Sequence, residues 1–108
     1  YSNKSKNFLL GVSSELISTQ GAVSEDVVIE MSNGLLKKTK SDIVVSISGV
    51  MGPSDNSKND KIGHVWFCWS SSSMIKTEFK KLSGDRQSNR DEAAKIAILG
   101  LYDFIQGI

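Results

Sequence analysis

Two periodicities of apolar positions run along the chain. Val27, Val28, Met31, Leu35 and Leu36 recur at three- and four-residue intervals, which places one apolar stripe along a helix. Ser24 offers an N-cap oxygen just before that stripe, and Glu25 and Asp26 follow where the helix dipole favours negative charge. Lys37, Lys38 and Lys40 occupy the opposite end, which favours positive charge. Upstream, from Asn7 to Gln20, the pattern is irregular. Phe8, Leu9 and Leu10 precede Gly11, and Leu16 and Ile17 precede Gly21, so short helical turns broken at the two glycines are predicted.

The second period is that of strands. Asp42 to Ser48 concentrates β-branched apolar residues without clean alternation, as a strand covered on both faces does. In Gly63 to Trp69, Val65, Phe67 and Trp69 fall on one face and Trp66 and Cys68 on the other, both apolar, so this strand is internal too. Ile75 to Lys80 alternates apolar with charged residues, predicting an antiparallel strand with one wet face, at an edge. The serines Ser70 to Ser73 read as the hairpin connection between these two. Ser54 to Asp60 is polar without period and reads as a mobile surface loop. A last helix runs from about Asp85 or Ser88 to Ile105, with Ala93, Ala94, Ile96, Ala97, Leu101 and Ile105 as its buried stripe and Gly107 as its stop. Helix, three strands and helix make an α/β sandwich, for which a mixed sheet is expected.

Composition narrows the function classes. A chain of 108 residues is one small domain, and a net charge of +1 lacks the basic stripe of a dedicated nucleic-acid binder. No apolar run approaches the ~18 residues of a membrane span, so neither nucleic acid nor membrane is an expected partner. One cysteine, Cys68, excludes an internal disulfide and suits a reducing compartment, hence a cytoplasmic protein. One histidine, His64, excludes a zinc site built from two or three histidines of this chain. With no initiator Met and no signal-peptide pattern, the chain is expected to be a piece of a longer protein.

Three places offer chemistry. Ser48-Gly49-Val50-Met51-Gly52-Pro53 ends a strand taken as central, where ligands of open α/β sheets bind; Gly49 and Gly52 let backbone approach a ligand, and Ser48 presents a hydroxyl. The same glycines also suit a plain tight turn. Arg86 and Arg90 stand at the start of the last helix, against its dipole. Either Asp85, Asp91 and Glu92 offset them, or a bound phosphate or carboxylate does. Near the start, Lys4 and Lys6 are either solvated or, beside a serine, a source of a low-pKa base; spacing does not choose between them. His64 offers a general base but, alone on a buried strand, reads with Cys68, Trp66 and Trp69 as a packed core side chain, with Cys68 unreactive.

Tyr1-Ser2-Asn3-x-x-Lys6, Leu10-Gly11-Val12, Gly21-Ala22-Val23-Ser24-Glu25, Ser48 to Pro53, Gly63-His64-Val65-Trp66 and Gly84-Asp85-Arg86 stand in the order and spacing of the CinA C-terminal domain, which the whole chain resembles. That family includes the nicotinamide-nucleotide amidases. The resemblance implies a three-layer α/β/α sandwich and hydrolysis of nicotinamide mononucleotide to nicotinate mononucleotide and ammonia. It also implies a serine–lysine mechanism without metal or cofactor, and a homodimer. It places Tyr1 and Lys6 in the catalytic set, and Ser48, Gly49, Gly52 and Arg86 around the nucleotide substrate. The family's Glu-Ser-Cys-Thr-Gly-Gly segment, with the nucleophilic serine, falls upstream of Tyr1, so residues 1–108 are expected to form one N-terminally incomplete domain. Val50-Met51 replaces the usual Ile-Ala, implying a narrower pocket, and Asp55-Asn56-Ser57 and Lys61-Ile62-Gly63 replace glycines and a Lys-Pro-Val-Gly run. These departures keep a rival open: a non-catalytic paralogue serving as a ligand-binding or oligomerisation module.

Overall fold

A computed structural model describes residues 2–52 and 61–107. The elements are α1 (Asn3–Leu10), α2 (Ser14–Gln20), α3 (Glu25–Thr39), β1 (Ile43–Gly49), β2 (His64–Ser71), β3 (Ile75–Lys81) and α4 (Arg86–Gln106). The loop expected over Ser54 to Asp60, and Tyr1 and Pro53, lie outside the described residues.

The helix boundaries follow from local chemistry. Ser2, Ser13 and Ser24 each accept a hydrogen bond from the backbone N–H three residues on, capping α1, α2 and α3. Gly11 ends α1 in the left-handed conformation (φ 73°). Its N–H donates to the Asn7 carbonyl and that of Val12 to the Lys6 carbonyl, turning the chain so that Val12 is fully buried.

The α/β/α layering matches the expectation. Alternate residues of β2 point to opposite faces. Cys68 and the partly buried Trp66 pack with Leu10, Val12, Val27, Val28 and Met31 of the α1–α3 layer. Val65, Phe67 and Trp69 pack with Ala93, Ala97 and Phe104 of α4. The sheet itself differs from the mixed one expected. Its order is β1-β2-β3, and both pairs are antiparallel. The reason is connectivity: a parallel pair needs a crossover of a dozen or more residues, usually a helix, and the sequence pattern offers no helix among these three strands. β1 is therefore an edge of the described sheet and β2 its centre, whereas β1 was expected to be central. Burial of both faces reports the layers above and below a strand, not how many neighbours it pairs with. β3 is the edge its alternation predicts.

The buried stripe of α4 is also shifted. Asn89, Ala93, Ala97 and Phe104 are buried, while Ala94 and Ile105 face outward with Ile98, Leu99 and Tyr102. What sets the rotation is Trp69. Its indole Nε1–H donates to the Ala97 carbonyl (3.0 Å), and a Cβ placed on Gly100 would stand 2.1 Å from its ring. The helix thus meets the sheet through its small residues. Gly100→Ala is expected to destabilise the domain by about 1–3 kcal/mol, because overpacking against a rigid buried ring outweighs the ~1 kcal/mol that alanine gains in helix propensity. Chemical denaturation measures this; Ile98→Ala, on the exposed face, is the comparison and should stay within about 0.5 kcal/mol of the parent.

Candidate active site

Helix α1 is amphipathic in an unusual sense: Lys6 and Leu10, one turn apart, are its buried residues, while Phe8 is 82% and Leu9 43% exposed. Lys6 itself is only 4% exposed. Its Nζ donates to Ser48 Oγ at 2.8 Å and to the Ala22 carbonyl at 3.4 Å, and Ser48 Oγ–H donates in turn to the Ala22 carbonyl at 2.8 Å. Three segments far apart in sequence therefore meet at one polar knot: the first helix, the bend after α2 and the end of β1. Burial pushes the Lys6 amine below the ordinary lysine range, since leaving water penalises the charged form. Lys4, equally eligible in sequence, is exposed.

The roles inside this knot are not interchangeable. The Ser48 proton is committed to the Ala22 carbonyl and its lone pair to Lys6, so Ser48 fixes the direction of the amine. An ammonium has three N–H donors, and Ser48 and Ala22 take two of them. Among the described residues nothing takes the third.

The segment after Ser48 is held by features of different origin. A Cβ on Gly49 would come within 2.8 Å of the Val65 side chain, and one on Gly52 within 2.9 Å of Arg86 Cβ. Gly52 thus brings the bend against the first turn of α4, so Arg86 lies beside the loop that Ser48 begins. Asn89 fastens this arrangement. Its Nδ2 donates to the carbonyls of Met51 (2.7 Å) and Gly84 (3.0 Å), and its Oδ1 accepts from the Gly84 N–H (2.9 Å). Asp85 caps α4 by accepting from the Ser88 N–H (2.8 Å), a bond that holds its carboxyl below the usual carboxylate range. Gly63, at φ 87°, closes the other side: its N–H donates to the Val50 carbonyl and its own carbonyl accepts from Leu82.

Of the residues singled out in the sequence, Lys6 and Ser48 are in direct contact, Gly49 follows Ser48, and Gly52 joins that bend to Arg86. Tyr1 lies outside the described residues. Ala22 and Asn89 were missed. Asn89 carried a signal, being polar one turn before Ala93 on the buried face; Ala22 stood in the matched Gly21-Ala22-Val23 run, but its side chain gave no hint of a role, because it acts through a backbone carbonyl.

The remaining candidates divide. Cys68 is fully buried, and burial raises its thiol pKa against a weaker lowering by Ser32, so it is unreactive as expected. Trp69 is core. Trp66 and His64 were expected there too, but both are only partly buried and line, with Phe79, a cavity of about 370 Å³. No described helix is long and apolar enough to cross a membrane, and the described residues contain no cluster of three potential metal ligands.

Comparison with known proteins covers nearly the whole chain. The chain is 40% identical over 108 residues to the nicotinamide-nucleotide amidohydrolase PncC of Escherichia coli K12, a match covering 98% of this chain and 66% of that relative. It is 41% identical to a CinA-like protein of Petrotoga mobilis, of which it covers 26%. Among solved structures, a competence-damaged protein (CinA) superfamily protein of Klebsiella pneumoniae matches with a TM-score of 0.92 at 31% identity, over 100% of this chain and 68% of that one. The chain thus spans about two-thirds of its amidohydrolase relatives. The CinA C-terminal domain model matches residues 1–105, which takes in both Lys6 and the Ser48 bend; the chain belongs to the CinA C-terminal domain family.

Proposed function

We propose that this chain is the larger part of a nicotinamide-nucleotide amidohydrolase, which converts nicotinamide mononucleotide to nicotinate mononucleotide and ammonia. The observation that carries the reading is a lysine amine buried, lowered in pKa and aimed by Ser48 and Ala22, in a chain 40% identical to an amidohydrolase of that name. Lys6 in its neutral form takes the proton of a serine supplied by the segment that precedes Tyr1 in the family pattern. The serine oxygen attacks the carboxamide carbon, and the tetrahedral oxyanion is held by backbone N–H groups near Gly49. Lys6 then returns the proton to the departing nitrogen, which leaves as ammonia, and water releases the acid by the same route. Arg86, exposed at the start of α4 beside Gly52, binds the anionic end of the nucleotide.

Ammonia release from nicotinamide mononucleotide, measured on the protein with all its encoded residues, tests the reading. Lys6→Ala protein that is folded and as active as the parent overturns it.

Ser48 is a positioning residue in this scheme. Ser48→Ala is expected to lower kcat about 10- to 100-fold, the worth of one hydrogen bond to a charged group. It should also move the rise of kcat with pH to lower pH, because the ammonium loses an acceptor that stabilises it. Ser48→Thr keeps the hydroxyl and should restore both. A Ser48→Ala profile of unchanged shape removes this role.

A further inference from the structure

Asn89 stands where the packing of α4 calls for an apolar residue. It is 1% exposed, one turn before Ala93 on the buried face, and asparagine is a poor former of helix interiors. Its partners explain its presence. The amide pairs twice with Gly84, accepting from the N–H and donating to the carbonyl, and its second N–H goes to the Met51 carbonyl. Both side-chain donors are thereby used. Only one orientation of the amide serves all three partners, because two are acceptors and one is a donor.

These bonds connect two parts of the site. Met51 is three residues beyond Ser48, in the bend that carries Gly49, and Gly84 is two residues before Arg86. Arg86 is in turn three residues before Asn89, so the two share one side of the first turn of α4. Gly52 brings the same parts into contact. A Cβ there would stand 2.9 Å from Arg86 Cβ and 3.3 Å from its Nε, so the arginine side chain passes over a residue that has none. The backbone around Gly49 and the Arg86 side chain are thus set at one span.

We infer that Asn89 is a positioning residue that fixes this span, and with it the separation between reacting carboxamide and anionic group that a substrate must match. The role rests on the amidohydrolase reading. A substrate without the anion gains nothing from the span, so its hydrolysis reports only what Asn89 contributes to packing.

The test compares ammonia release from nicotinamide mononucleotide and from nicotinamide riboside, which lacks the phosphate, on the protein with all its encoded residues. The readout is the ratio of the two kcat/KM values. Asn89→Leu removes all three bonds at similar volume and should lower that ratio at least about tenfold, chiefly through KM for the mononucleotide. Asn89→Ser, too short to reach Met51, should lower it in the same direction and serves if the leucine variant does not fold. A purely structural role slows both substrates alike and keeps the ratio. Arg86→Ala should bring the ratio to its floor, and adding Asn89→Leu should change it by no more than about twofold. A parental ratio in the folded Asn89 variants, or additive losses in the double variant, overturns the role. Binding of nicotinate mononucleotide, followed by NMR of the Arg86 Nε–H signal and assigned with Arg86→Lys, needs no catalysis. Asn89→Leu or Asn89→Ser should weaken it at least about fivefold. If no ammonia is released but this loss is seen, the amidohydrolase reading fails and the Asn89 role stands. An Arg86 signal indifferent to the nucleotide in the parent overturns the role even where ammonia is released.

Discussion

Replacing Lys6 with methionine is expected to abolish amide hydrolysis while leaving the fold intact. Methionine is similar in length, unbranched and apolar, so it fills the space between α1 and β1 without the amine. Removal of a general base costs about 10²- to 10⁴-fold in kcat, and here no other described titratable group touches Ser48 or Ala22 to replace it. Stability should move the other way. Burial lowers the pKa of Lys6 in the folded state, so the unfolded chain binds the proton more tightly. The folded state is penalised once pH falls below the ordinary lysine value, and the penalty grows until pH reaches the lowered folded value, below which it is constant. Above the ordinary value it vanishes. Lys6→Met removes this dependence, so the variant should match or exceed the parent's stability at neutral pH and lose that advantage in strongly alkaline solution. Denaturation at both pH values, with ammonia release measured alongside, separates loss of the base from loss of structure. A variant that unfolds at neutral pH means the amine is holding α1 in place, not waiting for a proton.

The same residue shows what sequence can and cannot disclose. The cap of α3, the breaks at Gly11 and Gly21, the two-faced burial of β2 and the edge position of β3 were legible because each depends on neighbours in the chain or on a fixed period. Ser24, Gly11 and Gly21 act locally. Lys6 does not. Hydrophobicity alone would bury Phe8 and Leu9 and expose Lys6, and the fold does the reverse because Ser48 and Ala22 supply the acceptors that make burial of the amine tolerable. Those partners come from distant segments. The motif resemblance pointed to Lys6, Ser48 and Arg86, but the contact between Lys6 and Ser48, and the approach of Gly52 to Arg86, are tertiary facts. Trp66 was misjudged for a related reason: alternation says which face a side chain takes, not whether a helix covers that part of the face. The α1–α3 layer covers Cys68, whereas Trp66, at the end where β1 stops, is left beside the cavity.

Gly34→Ala is expected to damage stability and catalysis together, and this coupling sets it apart from Gly100→Ala. Gly34 lies inside α3, where helix propensity favours alanine by about 1 kcal/mol. Packing opposes the change more strongly. A Cβ at Gly34 would stand 1.7 Å from the Leu10 carbonyl oxygen and 2.7 Å from its carbon. These are backbone atoms at the end of α1, so no rotamer change relieves the overlap; the helix must shift or its last turn must open. Overpacking of this kind costs about 1–3 kcal/mol or more, enough to reverse the propensity gain. Lys6 is on the same short helix, one turn before Leu10, and its bond to Ser48 is 2.8 Å. A displacement of α1 by about 1 Å turns that contact into a weak one and can cost on the order of 10²-fold in rate. Gly100→Ala, on the far side of the sheet, should lower the denaturation midpoint yet keep kcat close to the parent's at a temperature where both are folded. Comparing the two variants at matched fraction folded therefore reads how rigidly the α1–α3 contact holds the amine. If Gly34→Ala loses stability but keeps full activity, Lys6 is held by Ser48 and Ala22 alone, and the packing of α1 on α3 has no part in aiming it.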